Sequence, residues 1–186
     1  PLASALFVQP DKTDLESILA PWREKTGMDN AKLLEQAGYI IAQNLSDDPA
    51  LRREARQMLN KSGQITSSKK KNAEDEKELY AAYYDFSSPL TKIKPHQVLA
   101  LNRGEKAGVL SVSLEIDQDW LLSVLEKRVI KNRRSMTAPI VKDCLKDAWK
   151  RLIFPSLGRE IRRELTETAQ DSSIETFKTN LEHLLM

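Results

Sequence analysis

Two histidines and one cysteine are the whole supply of imidazole and thiol in this chain of 186 residues. With so few, no local Ser-His-Asp or Cys-His arrangement and no metal-ligand spacing can be assembled. The lone Cys144 has no disulfide partner, and its place between Val141 and Ala148 on an apolar stripe reads as packing. Glycine is scarce too: the six present include no loop with the spacing, and the Lys-Ser/Thr pair, of a phosphate-cradling loop. No apolar run approaches the roughly eighteen residues needed to cross a bilayer, and no charged-then-apolar leader precedes the first helix. The composition therefore predicts a soluble, cytoplasmic chain that is not an enzyme and needs no cofactor or metal.

What is present is charge, unevenly placed. Residues 120–163 hold 12 Lys and Arg against 4 Asp and Glu, while residues 1–119 hold 16 against 18 and residues 164–186 hold 1 against 5. A middle segment this basic invites a polyanion or an acidic protein face.

Helical periodicity dominates, and the expected fold class is mainly α: several helices, a small two-stranded β element and a long C-terminal helix. Thr13-Asp14-Leu15-Glu16 has the spacing of a capping box. Pro21 predicts a break or a new start. Asp29 can cap a helix with the stripe Leu33, Leu34, Ala37, Ile40, Ile41 and Leu45, and Asp48-Pro49 opens another that buries Leu51, Ala55, Met58 and Leu59 and ends at Gly63. Ile65-Thr66-Ser67 is short and β-prone, and Leu110, Val112, Leu114 and Ile116 share one face of an alternating run, so the two are expected to pair. Lys69-Lys70-Lys71-Asn72, followed by Glu74-Asp75-Glu76, reads as a solvated loop. Leu79, Tyr80, Tyr83 and Phe86 then stand at helical spacing as core aromatics. Between them and the alternating run, Pro95 suits a first helical position, and Gly104 or Gly108 can take the positive φ that ends that helix.

Beyond Asp119 everything reads as helix. Trp120, Leu121, Val124, Leu125 and Val129 are expected inside, with Lys127, Lys131 and Arg134 on the outer stripe and Arg128 and Arg133 beside it. The next helix starts near Pro139 and carries Lys142, Lys146 and Lys150 one turn apart. From Ser156 onward one helix of about thirty residues is expected, with Ile161, Leu165, Ala169, Ile174, Phe177, Leu181 and Leu184 as its apolar seam. The segments group as 1–63, a helical bundle segment; 64–119, a small α/β element; and 120–186, basic helices ending in the long one.

Two blocks of sequence carry a resemblance. Pro95-His96-x-x-Leu99-Ala100-Leu101-x-Arg103-Gly104-Glu105-Lys106-x-Gly108-Val109-Leu110 is the first. Asp147-Ala148-Trp149-Lys150-Arg151-Leu152-Ile153-Phe154-Pro155-Ser156-Leu157, followed by Arg159-Glu160-Ile161-Arg162-Arg163-Glu164-Leu165-Thr166-Glu167, is the second. Together they resemble the central region of the Tex family of bacterial transcription accessory proteins. A start without methionine at Pro1 and an end within an apolar helix fit an excised central fragment. The resemblance implies a longer protein that continues into an RNase H-like YqgF domain, helix-hairpin-helix elements and an OB-fold RNA-binding domain. Gly158 and Gln97 depart from the pattern, standing where the family usually carries a better helix former and an arginine.

The function expected is therefore binding. Lys127, Arg128, Lys131, Arg133, Arg134, Lys142, Lys146 and Lys150 are the candidate contacts to RNA or DNA, through phosphate and without sequence preference. The competing reading pairs Asp143 and Asp147 with Lys146, Lys150 and Arg151 and leaves a solvated face. In that case the region is a connector or scaffold that meets RNA polymerase or another part of the transcription machinery.

Overall fold

The computed structural model describes residues 2–185, with side chains through His183. In chain order the elements are α1 (Leu2–Phe7), α2 (Leu15–Thr26), α3 (Asn30–Asp47), α4 (Pro49–Ser62), β1 (Gln64–Lys69), β2 (Asp85–Pro89), α5 (Pro95–Lys106), β3 (Leu110–Glu115), α6 (Gln118–Val129), α7 (Ala138–Ala148) and α8 (Phe154–Leu185). A 3-10 turn at Ala81–Tyr83 precedes β2, and a π-helical turn at Trp149–Ile153 joins α7 to α8. The protein is thus mainly helical with one small sheet and a 32-residue C-terminal helix. No helix of the described residues is long and apolar enough to cross a membrane.

Two compact units divide the chain. The first takes the chain up to Arg56 together with Gln118–Ser156, and the second takes Gln57–Asp117 together with the chain from Leu157. In the first unit Leu6, Leu19, Ile41, Leu51, Leu121, Leu125, Leu145 and Trp149 are fully buried. Asp29 caps α3 by accepting from Lys32 N at 2.8 Å, and Asp48 caps α4 by accepting from Ala50 N at 2.8 Å. Helices α3 and α7 approach closely at Gly38, where a Cβ would stand 3.5 Å from Cys144 Sγ.

Helix α2 departs from expectation at both marks. Its N-cap is Asp14, and the Thr13 hydroxyl donates instead to Asp11 O at 3.3 Å, so no capping box forms. Pro21 lies inside the helix without ending it. The amide that proline lacks would have bonded to Ser17 O; both residues are exposed, so water can serve that carbonyl. An ion pair from Glu16 to Arg23 at 2.5 Å spans the proline from the outside.

The second unit is built on an antiparallel sheet in the order β2-β1-β3. Ile65 pairs with Leu114 and Ser67 with Val112, and Leu110 and Val112 are buried while Ser111 and Ser113 are exposed, as the alternation requires. The third strand was not expected: β2 pairs with β1 through Ser88 opposite Ile65 and Phe86 opposite Ser67. The helical reading of the aromatics is therefore corrected. Leu79 is 70% exposed, and Tyr83 and Phe86 meet as tilted rings at 5.2 Å across the entry to β2. The lysine-rich loop ahead of them is anchored by Asp75, whose carboxylate accepts from Leu79 N, Tyr80 N and the Tyr84 hydroxyl, while Lys69 Nζ lies 4.5 Å from the Tyr84 ring centroid.

At the helix α5 to β3 junction the two glycines have different tasks. Gly108 has φ +77 and makes the turn, whereas at Gly104 a Cβ would stand 2.5 Å from Leu110 Cδ1, so α5 can lie this close to β3 only without one. Helix α8 starts two residues earlier than expected and runs through Gly158 without a break. Of its seam, Ile161 and Ala169 are buried but Ile174, Phe177 and Leu181 are 66%, 69% and 45% exposed. Leu184 lies outside the residues whose side chains are described. Trp120 and Ile40, expected inside, are also exposed, at 43% and 51%.

Candidate nucleic-acid interface

The basic segment is shaped by an amide from the other end of the chain. Just past α1, Gln9 adopts φ 56 and turns its side chain inward, where the residue is 3% exposed. Its Nε2 donates to Val129 O at 3.0 Å, and its Oε1 accepts from Lys131 N at 3.0 Å and Asn132 N at 3.1 Å. One side chain thus serves a terminal carbonyl of α6 and two amides of the following loop, groups that a helix end otherwise leaves to solvent. Asn132 answers by donating to Gln9 O at 3.3 Å and accepting from Arg134 N at 3.1 Å. Further on, buried Ser135 and Thr137 bond to each other at 3.1 Å between hydroxyls. The loop from residue 130 to 137 is therefore held from beneath while its cations point outward.

The eight candidate cations fall on four pieces of structure. Lys127 and Arg128 are in the last turn of α6, Lys131, Arg133 and Arg134 on the loop, Lys142 and Lys146 on α7, and Lys150 in the π-helical turn. Because α6 stops at Val129, Lys127, Lys131 and Arg134 do not form the single helical stripe that the sequence suggests. Three of the eight meet carboxylates: Arg128 with Glu54 at 3.4 Å, Lys142 with Glu126 at 3.0 Å and Lys146 with Asp143 at 3.7 Å. Asp147 is taken by Arg151 at 2.7 Å, which holds its carboxyl below the usual aspartate range. That leaves Lys127, Lys131, Arg133, Arg134 and Lys150 exposed and without an ion pair among the described residues.

The structure brings Arg133 and Lys142 to one cavity of about 330 Å³, with Glu126, Ile130, Ala138 and Pro139 as its other walls. Arg134 faces a different one of about 480 Å³, shared with Asp11, Lys12, Thr13, Asp14 and Met136. Gln9, Asn132 and Lys12 were absent from the sequence reading. Nothing local marks them, because Gln9 and its partners are more than a hundred residues apart.

Elsewhere the reactive side chains are spread out. His96 is exposed in the first turn of α5, where its neighbour Gln97 accepts from Lys94 N at 2.9 Å, giving the departure at that position a capping task. His183 is exposed near the end of α8. Among the described residues no group of three or more His, Cys, Asp and Glu is placed to hold a metal ion. Cys144 is buried between α3 and α7, and burial, reinforced by Asp143 and Asp147, pushes its thiol up to about 11. Alkylation by iodoacetamide is accordingly expected to be negligible in the folded chain at pH 8 and rapid in urea. Since folding favours the neutral thiol, the stability it contributes is complete below the ordinary thiol pKa and is lost as pH rises towards 11. A fast-reacting thiol in the folded chain at pH 8 would contradict this packing.

The family described as Tex central region-like matches residues 9–177. The Bacillus subtilis protein YdcI is 39% identical over the whole of this chain, which covers 26% of that protein. The S1 RNA-binding domain-containing protein 1 of Pongo abelii is 33% identical over 99% of the chain, which covers 20% of it. The transcriptional accessory protein Tex of Neisseria gonorrhoeae is 27% identical over the whole chain, which covers 25% of it. The chain therefore spans about a quarter of the length of the curated relatives it matches.

Proposed function

This chain belongs to the Tex central region-like family, and from that premise we propose that it contributes phosphate contacts to nucleic acid within a longer, cytoplasmic transcription accessory protein. The observation that carries the reading is the loop from residue 130 to 137. Its backbone is fixed by Gln9, Ser135 and Thr137, and Lys131, Arg133 and Arg134 have no carboxylate partner among the described residues. A backbone fixed in advance has no ordering cost of its own on binding, and cations without an ion pair among the described residues have no direct contact to break first. Arg128, Lys142 and Lys146 are weaker contacts because a strand must first part them from Glu54, Glu126 and Asp143. The name of the Pongo abelii relative mentions RNA binding, which favours RNA as one ligand. The reading assigns the region no catalysis, cofactor or metal.

Replacing Lys131, Arg133 and Arg134 together with glutamine is expected to weaken binding of RNA, duplex and single-stranded DNA alike. The salt slope should fall, for each cation that met a phosphate, by about 0.9 on a duplex and about 0.7 on a single strand. The same change at Lys142, Lys146 and Lys150 should do less. Anisotropy titrations of both variants check this; equal loss in both, or loss in neither, would reject the loop as the contact. A connector reading has its own support, the exposed row Ile174, Phe177 and Leu181 on α8, and it predicts that neither variant changes anything.

A further inference from the structure

A second group of arginines stands in the other unit and shares none of the eight cations above. Arg159, Arg162, Arg163, Thr166 and Glu167 follow one another at three-and-four spacing, so they share a face of α8, and with Asn102 of α5 they line a cavity of about 450 Å³. Its centre is locked. Arg162 forks onto Glu105, with Nη1 donating to Oε1 at 3.1 Å and Nη2 to Oε2 at 2.5 Å, and Nη2 also reaches Asn102 Oδ1 at 3.5 Å. Asn102 Nδ2 donates to Thr166 Oγ1 at 2.8 Å, and that hydroxyl donates to Arg162 O at 2.8 Å.

The flanks are not locked. Arg159 is exposed with no ion pair among the described residues, and Arg163, 70% exposed, reaches Glu167 only at 3.7 Å. Two guanidinium groups one turn apart repel each other, and each has planar N–H donors that match phosphate oxygens. An anion held between them removes the repulsion and fills both sets of donors. The three arginines outnumber Glu105 and Glu167 at this cavity, and Glu160 and Glu164 have partners of their own.

We propose that this cavity is a phosphate site that takes the backbone of a nucleic-acid strand, with Arg159 and Arg163 as the ligands on either side of Arg162, which Glu105 and Asn102 hold in place. The test uses the full chain with a fluorescein-labelled oligouridine strand and, separately, inorganic pyrophosphate. R159Q/R163Q is expected to bind the strand about tenfold more weakly and with a salt slope smaller by about 1.4, while keeping its melting temperature, since both side chains lie outside the locked centre. In the wild type, the strand should shift the Nε–Hε resonances of Arg159 and Arg163. Unchanged affinity and slope in R159Q/R163Q would overturn the proposal. So would resonances that move with pyrophosphate but not with oligouridine. R133Q/R134Q, measured alongside, separates this site from the loop of the first unit: each pair of changes tests its own site whatever the other does.

Discussion

Replacing Gln9 with alanine lowers the stability of the chain by about 3 kcal/mol, the size expected when a buried amide leaves several partners unmet. Three hydrogen bonds go at once, those to Val129 O, Lys131 N and Asn132 N, and the residue is 3% exposed, so water does not simply replace it. Gln9→Glu should keep the two acceptor bonds but set a carboxylate against Val129 O, and it should fall between wild type and alanine at low pH, where the acid can donate. Urea denaturation gives the stability, and amide exchange at Lys131 and Asn132 gives the local effect. A loss below about 1 kcal/mol, with exchange unchanged, would mean that the loop holds itself. Because Lys131, Arg133 and Arg134 ride on this backbone, the alanine variant should also bind nucleic acid more weakly without any change in charge.

Gly63→Ala is the other large effect, about 3 kcal/mol, at the upper end for overpacking. Its amide bonds to Leu59 O at 2.7 Å and its carbonyl accepts from Leu90 N at 3.0 Å, so the residue joins α4 to the sheet. A Cβ there would be driven into Leu59 O, a backbone atom of the helix, and would press on Leu90 Cδ1 at 3.0 Å. Gly108→Ala is the comparison: its φ of +77 is strained for alanine but the space around it is open, so about 1 kcal/mol is expected. If the two variants unfold at the same urea concentration, space at Gly63 is not what selects glycine.

Much of this fold could be read in advance wherever a buried face repeats. The α3 and α4 stripes, the caps Asp29 and Asp48, and the pairing of Ile65 with the alternating run at Leu110 all follow from periodicity and local chemistry. Strand β2 escaped because Asp85-Phe86-Ser87-Ser88-Pro89 has no alternation of its own; pairing with β1 makes it a strand. Pro21 misled because the carbonyl it strands faces water, a fact of burial that a sequence does not carry. The apolar seam of α8 is sound in its spacing, yet spacing cannot say where the neighbouring surface stops, and beyond Ala169 it has.

The candidate site was legible in its charge and illegible in its geometry. A surplus of cations over residues 120–163 is visible from counting. Which of them an acid neutralises depends on contacts such as Arg128 with Glu54, and the rigidity of the loop depends on a glutamine at position 9. Of the solvated-face reading, the pairs Lys146 with Asp143 and Arg151 with Asp147 form, whereas Lys131, Arg133 and Arg134 on the loop ahead of α7 have no ion pair among the described residues.

The most direct test is the dependence of RNA affinity on salt for the unmodified chain. Contacts from the loop cations Lys131, Arg133 and Arg134, together with the Arg159 and Arg163 pair, predict a linear fall of log K against log salt, with a slope of roughly −3 to −4 for a single strand. A slope near zero, or no binding even at low salt, would contradict the account and leave a connector whose arginines and lysines serve only the solvent.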